Sequence, residues 1–591
     1  MKKEYILSIN PCIYGLNYHD PSVAIFEDGK ILVAVEEERL NGVKGAKGFF
    51  PEKAIEKCLN IANLKISDIN KIAIPYDPNL WGERLDLELD NIITASVNNE
   101  FINEEIIVSK FKESNIINRY SFFNDKTKIE KLLRNKLGIE YNIPIEFYGH
   151  HLSHIASAYY ASNFESATGI VVDGIGEAST TTIWKIQKGK FEKILDIKYP
   201  NSLGYFYAIA TAFLGFKPWE QEGKLMALAP YGKYNREIME KLATIISLKN
   251  SIYDVSSFVL DNSTGFLMVD MAKAISLLEQ LLHINSRKNG EPILEIHKDF
   301  AWAIQHLIEE AVIRLVNDGV EKTGIKKVCA AGGIFMNCKM NMVVRENANI
   351  IDFFVQPLAG DLGLVIGSGA LASQNVNISQ FNTLSFGPKY SNEQIKEELG
   401  KNNLIYSKSE HIERDVALLL NEGKIVCWFQ GAMEMGARAL GNRSILADPR
   451  GPMISDIINE RVKHRENWRP FACSMLDDCS MEILNNKKVD RTYPFMIEAF
   501  KVKGNWIDKI PAVIHKADKT TRPQLVSKFV YPRYYNLINE FYKITGCPLI
   551  LNTSFNDKGQ PIVESPKLAI EFFKKNDVDI LAIGDYIAKK K

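Results

Sequence analysis

The sequence lacks several features that would assign it to particular classes of protein. Its 72 basic and 72 acidic side chains cancel, so no broad attraction to nucleic acid or to an anionic membrane is expected. No stretch reaches the roughly 18 uninterrupted apolar residues of a membrane helix. The eight cysteines include no C-x-x-C pair that would begin a zinc finger or a redox motif. We therefore expect a soluble cytoplasmic protein with reduced thiols, and neither nucleic acid nor membrane as a partner.

The 591 residues, 46% of them hydrophobic, suffice for more than one domain, because single cores stop growing at roughly 250–300 residues. Strand candidates alternate with helical stretches, which indicates the α/β class. Asp28-Gly29 is a hairpin signal near the start, and two strand-rich ends around a helical middle favour a duplicated sheet. The polar, Asn-rich stretch 376–400 is typical of a linker. We predict domains at 1–385 and 386–591.

One cluster of side chains has the composition of a metal site. His150 and His154 are four residues apart, which places both imidazoles on one helix face if this segment is helical. Asp173 follows the apolar run GIVV, and Asp361 lies between glycines in PLAGDLG. Two imidazoles and two carboxylates suit iron(II), manganese or zinc. An alternative is that the histidine pair only makes hydrogen bonds within the fold.

Two glycine loops indicate a nucleotide-binding cleft. Gly174 and Gly176 lead into a run of small and hydroxyl residues, and Gly332 and Gly333 follow the predicted strand of KKVCAAGG. Exposed backbone N–H groups in such loops bind phosphates. Either loop alone is also compatible with an ordinary tight turn.

Motifs along nearly the whole chain resemble those of one family. They are Tyr18-His19-Asp20-Pro21-Ser22, His150 to His154, Val172-Asp173-Gly174, Glu222 to Gly232, Gly332 to Asn341, Gly360-Asp361, Gly436 to Ile445, Val462 to Glu466, Trp468 to Phe471, and Asn552 to Asn556. On these residues the chain resembles the ATP-dependent O-carbamoyltransferases of antibiotic and nodulation-factor biosynthesis, the nodulation/cephamycin/tobramycin group.

The resemblance implies an N-terminal domain of the actin-like ATPase fold, similar to Kae-type synthases, followed by an α/β domain similar to YrdC. It implies that the C-terminal domain forms carbamoyl adenylate from carbamoyl phosphate and ATP, with Mg(II) as a candidate companion of ATP. The N-terminal domain would transfer the carbamoyl group to a hydroxyl of a small natural product or sugar, with iron(II) at the metal site. A homodimer is a reasonable expectation.

The resemblance also implies roles for individual residues. Catalytic roles fall to His19, which would bind the carbamoyl group or take the acceptor's proton, and to Lys463, Arg438, Arg469 and Arg522. Cationic side chains suit the densely anionic substrates. Substrate or nucleotide binding is expected of the glycines above and of Asp20, Lys224, Asn337, Arg443, Arg465, Asn552 and Asn556.

The chain departs from the family pattern at three positions. Ala432 and Ala437 stand where an arginine and a proline are usual, and Lys558 stands where an arginine is common. Ala432 cannot bind an anion, so an actin-like regulatory or scaffold protein with a degenerate adenylating domain is one alternative. A hydrogenase-maturation carbamoyltransferase is another, although that family has the opposite domain order and paired C-x-x-C fingers.

Overall fold

The computed structural model describes residues 3–13, 19–83, 125–139, 143–249, 252–259, 271–376, 381–485 and 494–591. Its strands are β1 (Tyr5–Asn10), β2 (Ser22–Glu27), β3 (Lys30–Glu36), β4 (Lys71–Ile74), β5 (Ile145–Phe147), β6 (Ser166–Val172), β7 (Ser179–Gln187), β8 (Lys190–Lys198), β9 (Ser247–Lys249), β10 (Ile252–Asp254), β11 (Lys327–Ala331), β12 (Asp352–Val355), β13 (Ile405–Lys408), β14 (Val426–Phe429), β15 (Arg443–Ala447), β16 (Ala472–Leu476), β17 (Leu484–Asn485), β18 (Phe500–Val502), β19 (Thr520–Thr521), β20 (Pro523–Val526), β21 (Leu549–Ser554), β22 (Ile580–Ile583) and β23 (Tyr586–Lys589).

The described α-helices are α1 (Glu37–Asn41), α2 (Glu52–Ala62), α3 (Lys126–Leu137), α4 (His150–Ser162), α5 (Leu203–Phe213), α6 (Glu222–Leu228), α7 (Arg236–Leu242), α8 (Ser256–Val259), α9 (Met271–Leu282), α10 (Glu295–Thr323), α11 (Cys338–Asn347), α12 (Leu364–Ala372), α13 (Asn392–Gly400), α14 (Ile412–Asn421), α15 (Ile454–Ile458), α16 (Ser480–Ile483), α17 (Gly504–Ile507), α18 (Pro532–Thr545) and α19 (Pro566–Lys575). Single 3-10 turns cover Lys44–Ala46, Ile66–Asp68, Pro78–Leu80, Ala229–Tyr231, Gly333–Met336, Asp361–Gly363, Asp477–Cys479 and Pro511–Val513, and a π-helical turn covers Asn459–Lys463.

The N-terminal part contains the same five-stranded sheet twice. The strand orders are β3-β2-β1-β4-β5 and β8-β7-β6-β11-β12. In each sheet the first two strands, β1 and β2 or β6 and β7, pair antiparallel. The later strands are added in parallel: β4 pairs with β1 and β5 with β4, and in the same way β11 pairs with β6 and β12 with β11. The central strands β1 and β6 are buried along almost their whole length, as expected where helices cover both faces of a sheet. This repeat confirms the predicted duplicated, actin-like architecture.

The short connections also follow the prediction. Asp28 and Gly29 have positive φ angles of 48° and 77°, and they form the two-residue turn between β2 and β3. Gly332 ends the β11 strand with a φ of 99°, and a Cβ there would lie 2.3 Å from the carbonyl oxygen of Val172. A glycine is therefore required at the point where the second predicted loop leaves the sheet.

Two equivalent helices, α4 after the first sheet and α12 after the second, pack against each other. Their backbones approach so closely that a Cβ on Gly367 would lie 1.8 Å from the carbonyl oxygen of Ser153. Ser8 and Ser368 hydrogen-bond through their hydroxyls at 2.8 Å and are fully buried, which ties α12 to β1. This contact fixes the helix that carries the predicted histidine pair against the helix that follows Asp361.

The C-terminal part is built on a mixed eight-stranded sheet. Its order is β13-β23-β22-β14-β15-β21-β16-β20, and a separate small sheet has the order β17-β18-β19. Trp428 on β14 is fully buried in the core and donates its indole N–H to the carbonyl oxygen of Gly441 at 2.9 Å. This is the α/β domain expected after the actin-like one.

The chain forms two compact units that do not follow one cut in the sequence. The first comprises Met1–Ile31, Gly48–Pro51 and Asn63–Gln380, and the second comprises Leu32–Lys47, Glu52–Ala62 and Phe381–Lys591. The prediction placed all of 1–385 in the first domain, whereas two N-terminal segments belong to the second unit. The linker predicted over 376–400 is also shorter, because α13 begins at Asn392. Among the described helices, none has both the length and the apolar character needed to cross a membrane.

The close packing of α4 and α12 predicts the effect of one added methyl group. Gly367→Ala should destabilise the first unit by about 1–3 kcal/mol, because its Cβ requires the two helices to separate. Thermal unfolding followed by calorimetry should show a lower midpoint, by roughly 2–4 °C for each kcal/mol. The control is Gly223→Ala on α6, where a Cβ meets nothing within 4 Å. Equal midpoints for the two variants would contradict the packing argument.

Candidate functional site

The four predicted metal ligands converge in the first unit. His150 and His154 lie one turn apart on α4, Asp173 follows β6, and Asp361 opens the 3-10 turn before α12. Equivalent ends of the two repeated sheets therefore bring the residues together. The ligand atoms all lie within 4.8 Å of one another, and all four residues are buried.

The geometry of this cluster suits a cation. The carboxylate of Asp173 lies 3.0 Å from Nε2 of His150 and 3.3 Å from Nε2 of His154. The carboxylate of Asp361 lies 3.7 Å and 3.6 Å from the same two atoms. Ligands about 2.0–2.2 Å from a shared zinc-like ion would show comparable separations. The residues thus form a group able to hold a divalent metal.

The electrostatics of the cluster reflect its buried negative charge. Burial alone would raise the pKa of Asp173, but hydrogen bonds from His150 and His154 hold it well below its ordinary value. Burial alone would lower the pKa of His154, but the two carboxylates raise it to about 9. His151 differs, since burial lowers its pKa to about 3 and its Nδ1 lies 3.0 Å from the hydroxyl of Thr182. His151 does not belong to the group of candidate metal ligands.

Two further residues contact the cluster, and neither was predicted to have a role. The carboxylate of Glu177 accepts the backbone N–H of His150 at 2.9 Å and that of Asp77 at 2.9 Å. It therefore caps a helix whose N-cap residue, Gly149, has no side chain to do so. The Tyr76 ring lies 5.1 Å from the His150 ring. An acidic residue just after the first glycine loop was the available sequence signal for Glu177.

The glycine loops shape this cluster. The N–H of Gly333 donates to Asp173 Oδ1 at 2.9 Å. A Cβ on Gly176 would lie 2.8 Å from the His151 ring and 3.2 Å from His150 Cβ, and a Cβ on Gly174 would touch the Trp219 ring. Gly176 must therefore lack a side chain for its loop to pack against the predicted metal ligands, whereas a Cβ on Gly174 would make an ordinary contact. Their predicted contact with a nucleotide remains a prediction.

His19 and Asp20 form a pair after β1. Nδ1 of His19 lies 2.9 Å from Asp20 Oδ2, and Asn10 donates to the Asp20 carbonyl oxygen at 2.9 Å. Burial alone would lower the pKa of His19, but Asp20 and the charges of Asp361 and Asp173 raise it to about 9. A histidine that is already protonated at neutral pH favours the hydrogen-bonding role predicted for it over proton abstraction.

Lys224 and Asn337 have structural partners in the first unit. The Lys224 ammonium lies 5.2 Å from the centre of the Phe216 ring, and the residue is 9% exposed. Asn337 caps α11 by accepting the N–H of Met340 at 3.0 Å, and its amide donates to Gln305 at 2.9 Å. Asn337 therefore anchors a helix, and its predicted binding role is untested.

A second group of functional candidates lies in the second unit around Lys463. Its ammonium donates to the Ser554 carbonyl at 2.5 Å and to the Asn556 carbonyl and side-chain oxygens at 2.9 and 2.8 Å. Burial and the neighbouring cations Arg465 and Arg469 hold the pKa of Lys463 well below its ordinary value. Asn556 thus holds the predicted catalytic lysine at the end of β21.

Arg465, Arg469 and Arg522 lie close enough to this lysine or to one another for their charges to interact. Burial, together with the charges of Arg469 and Arg522, lowers the pKa of Arg465 to about 9. The Arg465 guanidinium also stacks over Phe471, 4.4 Å from the ring centre. Glu466 is an acidic residue beside this group, 3.8 Å from Arg469. An accumulation of buried cations is suited to a polyanionic ligand.

Arg438 belongs to a loop next to this group. Asn552 on β21 donates to the carbonyl oxygen of Ala439 at 3.0 Å, and Ser554, two residues further on the same strand face, contacts Lys463. Residues i and i+2 of a strand are about 6–7 Å apart. Asn552 is 1% exposed and holds the Arg438 loop through its bond to Ala439, and the substrate contact predicted for it stays a prediction.

The structure gives Arg443 partners within the fold. It is fully buried, its guanidinium stacks on Phe429 at 3.6 Å, and it donates to the carbonyl oxygens of Gln430 at 2.6 Å and Pro388 at 3.3 Å. Because these donors are directed at the backbone inside the fold, Arg443 supports the loop. Its predicted role in nucleotide binding stays a prediction.

Comparison with known proteins identifies relatives of the whole chain. Residues 12–370 match the family model described as Carbamoyltransferase N-terminus, and residues 417–590 match the model described as Carbamoyltransferase C-terminus. Nodulation protein NolNO of Sinorhizobium fredii is 31% identical, over 97% of this chain and 79% of its own. Nodulation protein NolO of Bradyrhizobium diazoefficiens is 33% identical, over 75% and 79%. Uncharacterized protein MJ1051 of Methanocaldococcus jannaschii is 34% identical, over 97% and 98%.

The converging ligands predict how the first unit binds metal. His154→Ala should weaken binding of Fe(II), Mn(II) or Zn(II) at least about 100-fold, since even residues behind the ligands typically contribute 10–100-fold. Anaerobic titration followed by elemental analysis measures the affinity. The matched control is His151→Asn on the same helix, which keeps a hydrogen-bonding group towards Thr182. Similar losses in both variants would mean that the cluster is not the metal site.

Proposed function

Since this chain belongs to the carbamoyltransferase family, we propose that it works in two steps at two separate sites. In the first step water cleaves carbamoyl phosphate to carbamate and phosphate, and a carbamate oxygen then attacks the α-phosphorus of ATP, which gives carbamoyl adenylate and releases pyrophosphate. In the second step a hydroxyl oxygen of a small-molecule acceptor attacks the carbamoyl carbon, AMP leaves, and the hydroxyl proton is lost. The acceptor class is a natural product or a sugar.

One observation supports the proposal above all: each unit has its own group of buried, chemically distinct functional side chains. The second unit gathers Lys463, Arg465, Arg469 and Arg522. Such a group can neutralise the repulsion between two anionic substrates and orient them for reaction, which is a large part of catalysis in phosphoryl chemistry. Formation of the adenylate therefore fits the second unit.

The cluster in the first unit fits the transfer step. His150, His154, Asp173 and Asp361 would hold a divalent cation, for which iron(II) is our proposal, and such an ion supplies Lewis-acid stabilisation of a phosphate oxygen. His19, protonated beside Asp20, would donate a hydrogen bond to the carbamoyl group or to the leaving phosphate. The chain's own residues thus orient the adenylate and stabilise the charge that develops as AMP leaves.

The two-site proposal predicts that the two half-reactions can be separated by mutation. His154→Ala should abolish carbamoyl transfer, measured as a carbamoyl mass gain on hydroxylated acceptors, while pyrophosphate release from ATP and carbamoyl phosphate largely persists. Lys463→Ala should abolish both, because without the adenylate nothing can be transferred. Loss of pyrophosphate release in folded His154→Ala would contradict the proposal.

A screen of acceptors tests the function itself. Wild-type protein incubated with ATP, carbamoyl phosphate and a panel of aminoglycosides, sugars and polyketide alcohols should carbamoylate at least one class. Pyrophosphate release in the absence of any acceptor separates an active adenylating enzyme from a nucleotide-binding scaffold. A protein that releases no pyrophosphate under any of these conditions would favour the scaffold alternative.

A further inference from the structure

The segment from Leu32 to Ala62 contributes most of its residues to the second unit, and two of these residues contact the loop that carries Arg438. Glu36 ends β3 and Arg39 lies on α1, and the side chains of both are fully buried. The β3 strand of the first sheet leads into this segment, and Glu36 precedes Gly436 of the loop by 400 residues in the sequence. The same segment is tied to the second unit by Lys57, which lies 3.1 Å from Glu564.

Glu36 and Arg39 hold both polar groups of one backbone residue. The N–H of Gly436 donates to Glu36 Oε1 at 2.5 Å, and Nη2 of Arg39 donates to the carbonyl oxygen of Gly436 at 2.5 Å. The two side chains also contact each other at 3.4 Å. Gly436 has a φ of 96°, a conformation that side-chain-bearing residues rarely adopt. We call Glu36, Arg39 and Gly436 the Gly436 clamp.

The clamp acts together with other contacts that hold the loop, among them the N–H of Met435, which donates to the carbonyl oxygen of Leu384 at 2.8 Å. From within the loop, Glu434 Oε1 accepts the N–H groups of Leu440 at 2.7 Å and Arg443 at 3.1 Å. From β20, the side-chain amide of Gln524 donates to the carbonyl oxygen of Leu440 at 2.8 Å. These contacts fasten the loop's C-terminal half, while the clamp fastens Gly436, two residues before Arg438.

A role in stability alone does not account for this arrangement. Burying an ion pair costs desolvation energy, and apolar residues of similar volume often stabilise a fold equally well. Here the pair directs one acceptor and one donor at a single glycine peptide beside a predicted catalytic arginine. Residues that orient a reacting group through another residue can change rates strongly, because displacement of about 1 Å can cost roughly 100-fold.

We propose that Glu36 and Arg39 are positioning residues of the adenylate-forming site, and that they act by holding Gly436 and, through it, Arg438. The proposal rests on the two-step function proposed above. It means that the adenylate-forming site is completed by residues from the N-terminal tenth of the chain. It also explains why residues 32–47 belong to the second unit and not to the first.

The experiment uses full-length protein and two measurements. The first is kcat/KM for pyrophosphate release, per folded molecule, with carbamoyl phosphate and ATP. Arg39→Met and Glu36→Ala should lower it about 100-fold, while Glu36→Gln should keep most of it, since its amide oxygen still accepts the Gly436 N–H. The matched control is Lys44→Met, which removes an ion pair of the same segment to Glu38 at 2.9 Å and should stay within about twofold.

The second measurement is amide hydrogen exchange of peptides spanning residues 434–443. The Arg39→Met and Glu36→Ala variants should exchange faster there than wild type or Lys44→Met, with exchange around His150 and metal binding unchanged. If single variants unfold, the double variant Glu36→Gln/Arg39→Met removes both charges together and takes their place. Unchanged exchange in the loop, or a rate per folded molecule within twofold of wild type, would overturn the proposal.

The outcomes distinguish the clamp from the proposed function. If the wild type releases no pyrophosphate, the proposed function fails, and the clamp is then judged by loop exchange together with affinity for inorganic pyrophosphate. Faster exchange with weaker pyrophosphate binding would support the clamp in that case, and unchanged values of both would overturn it. If the wild type is active and the variants are equally active, the clamp alone fails.

Discussion

Two carboxylates in the interior of the first unit impose a constraint that much of its structure satisfies. Removing an ionised group from water costs several kcal/mol unless a counter-charge is supplied. Asp173 and Asp361 are 8% exposed each, and two imidazoles lie within 3.7 Å of them. The duplicated sheet, the close crossing of α4 and α12, and the side-chain-free loops around Gly176 and Gly333 all bring groups to this point. The metal that we propose would complete the neutralisation.

The second unit has the opposite electrostatic problem. Lys463 and three arginines accumulate positive charge, and burial together with mutual repulsion lowers the pKa of Lys463, Arg465 and Arg469. Backbone and amide oxygens at Ser554 and Asn556 hold the lysine in place without cancelling its charge. Each unit therefore has buried charge that a ligand of opposite sign would neutralise. That ligand would be a cation in the first unit and a polyanion in the second. This division matches the two proposed half-reactions.

The sequence was informative where a local pattern determines the structure. The i, i+4 spacing of His150 and His154, the strand before Asp173 and the Asp28-Gly29 hairpin all appear as predicted, because helix period, strand length and turn chemistry are local properties. The distribution of strands and the family resemblance both favoured a duplicated sheet, but convergence of the four ligands depends on contacts between distant segments, which no local pattern specifies.

The remaining features depend on distant contacts that no local pattern reveals. Arg438 and Arg443 lie in one motif, and nothing in the sequence distinguishes their surroundings. In the structure Arg443 is fully buried against Phe429, whereas Arg438 is half-buried in a loop. Glu36 and Arg39 belong to the run EEER, which is typical of a solvated helix surface. Their partner is about 400 residues away, so their burial could not be inferred from their neighbours. The role of Glu177 was hidden in the same way.

The path of the chain between the units has a consequence for how this protein can be divided. The chain passes from one unit to the other at 31/32, 47/48, 51/52, 62/63 and 380/381. A protease that cuts near residue 380 would not separate the two units, because residues 32–47 and 52–62 of the second unit stay on the N-terminal fragment. A gene that encoded only the residues after 380 would produce a second unit without α1 and α2. Neither half is a transplantable module. Recombination between relatives would preserve both folds only if it exchanged the N-terminal strands and helices together with the C-terminal domain that they complete.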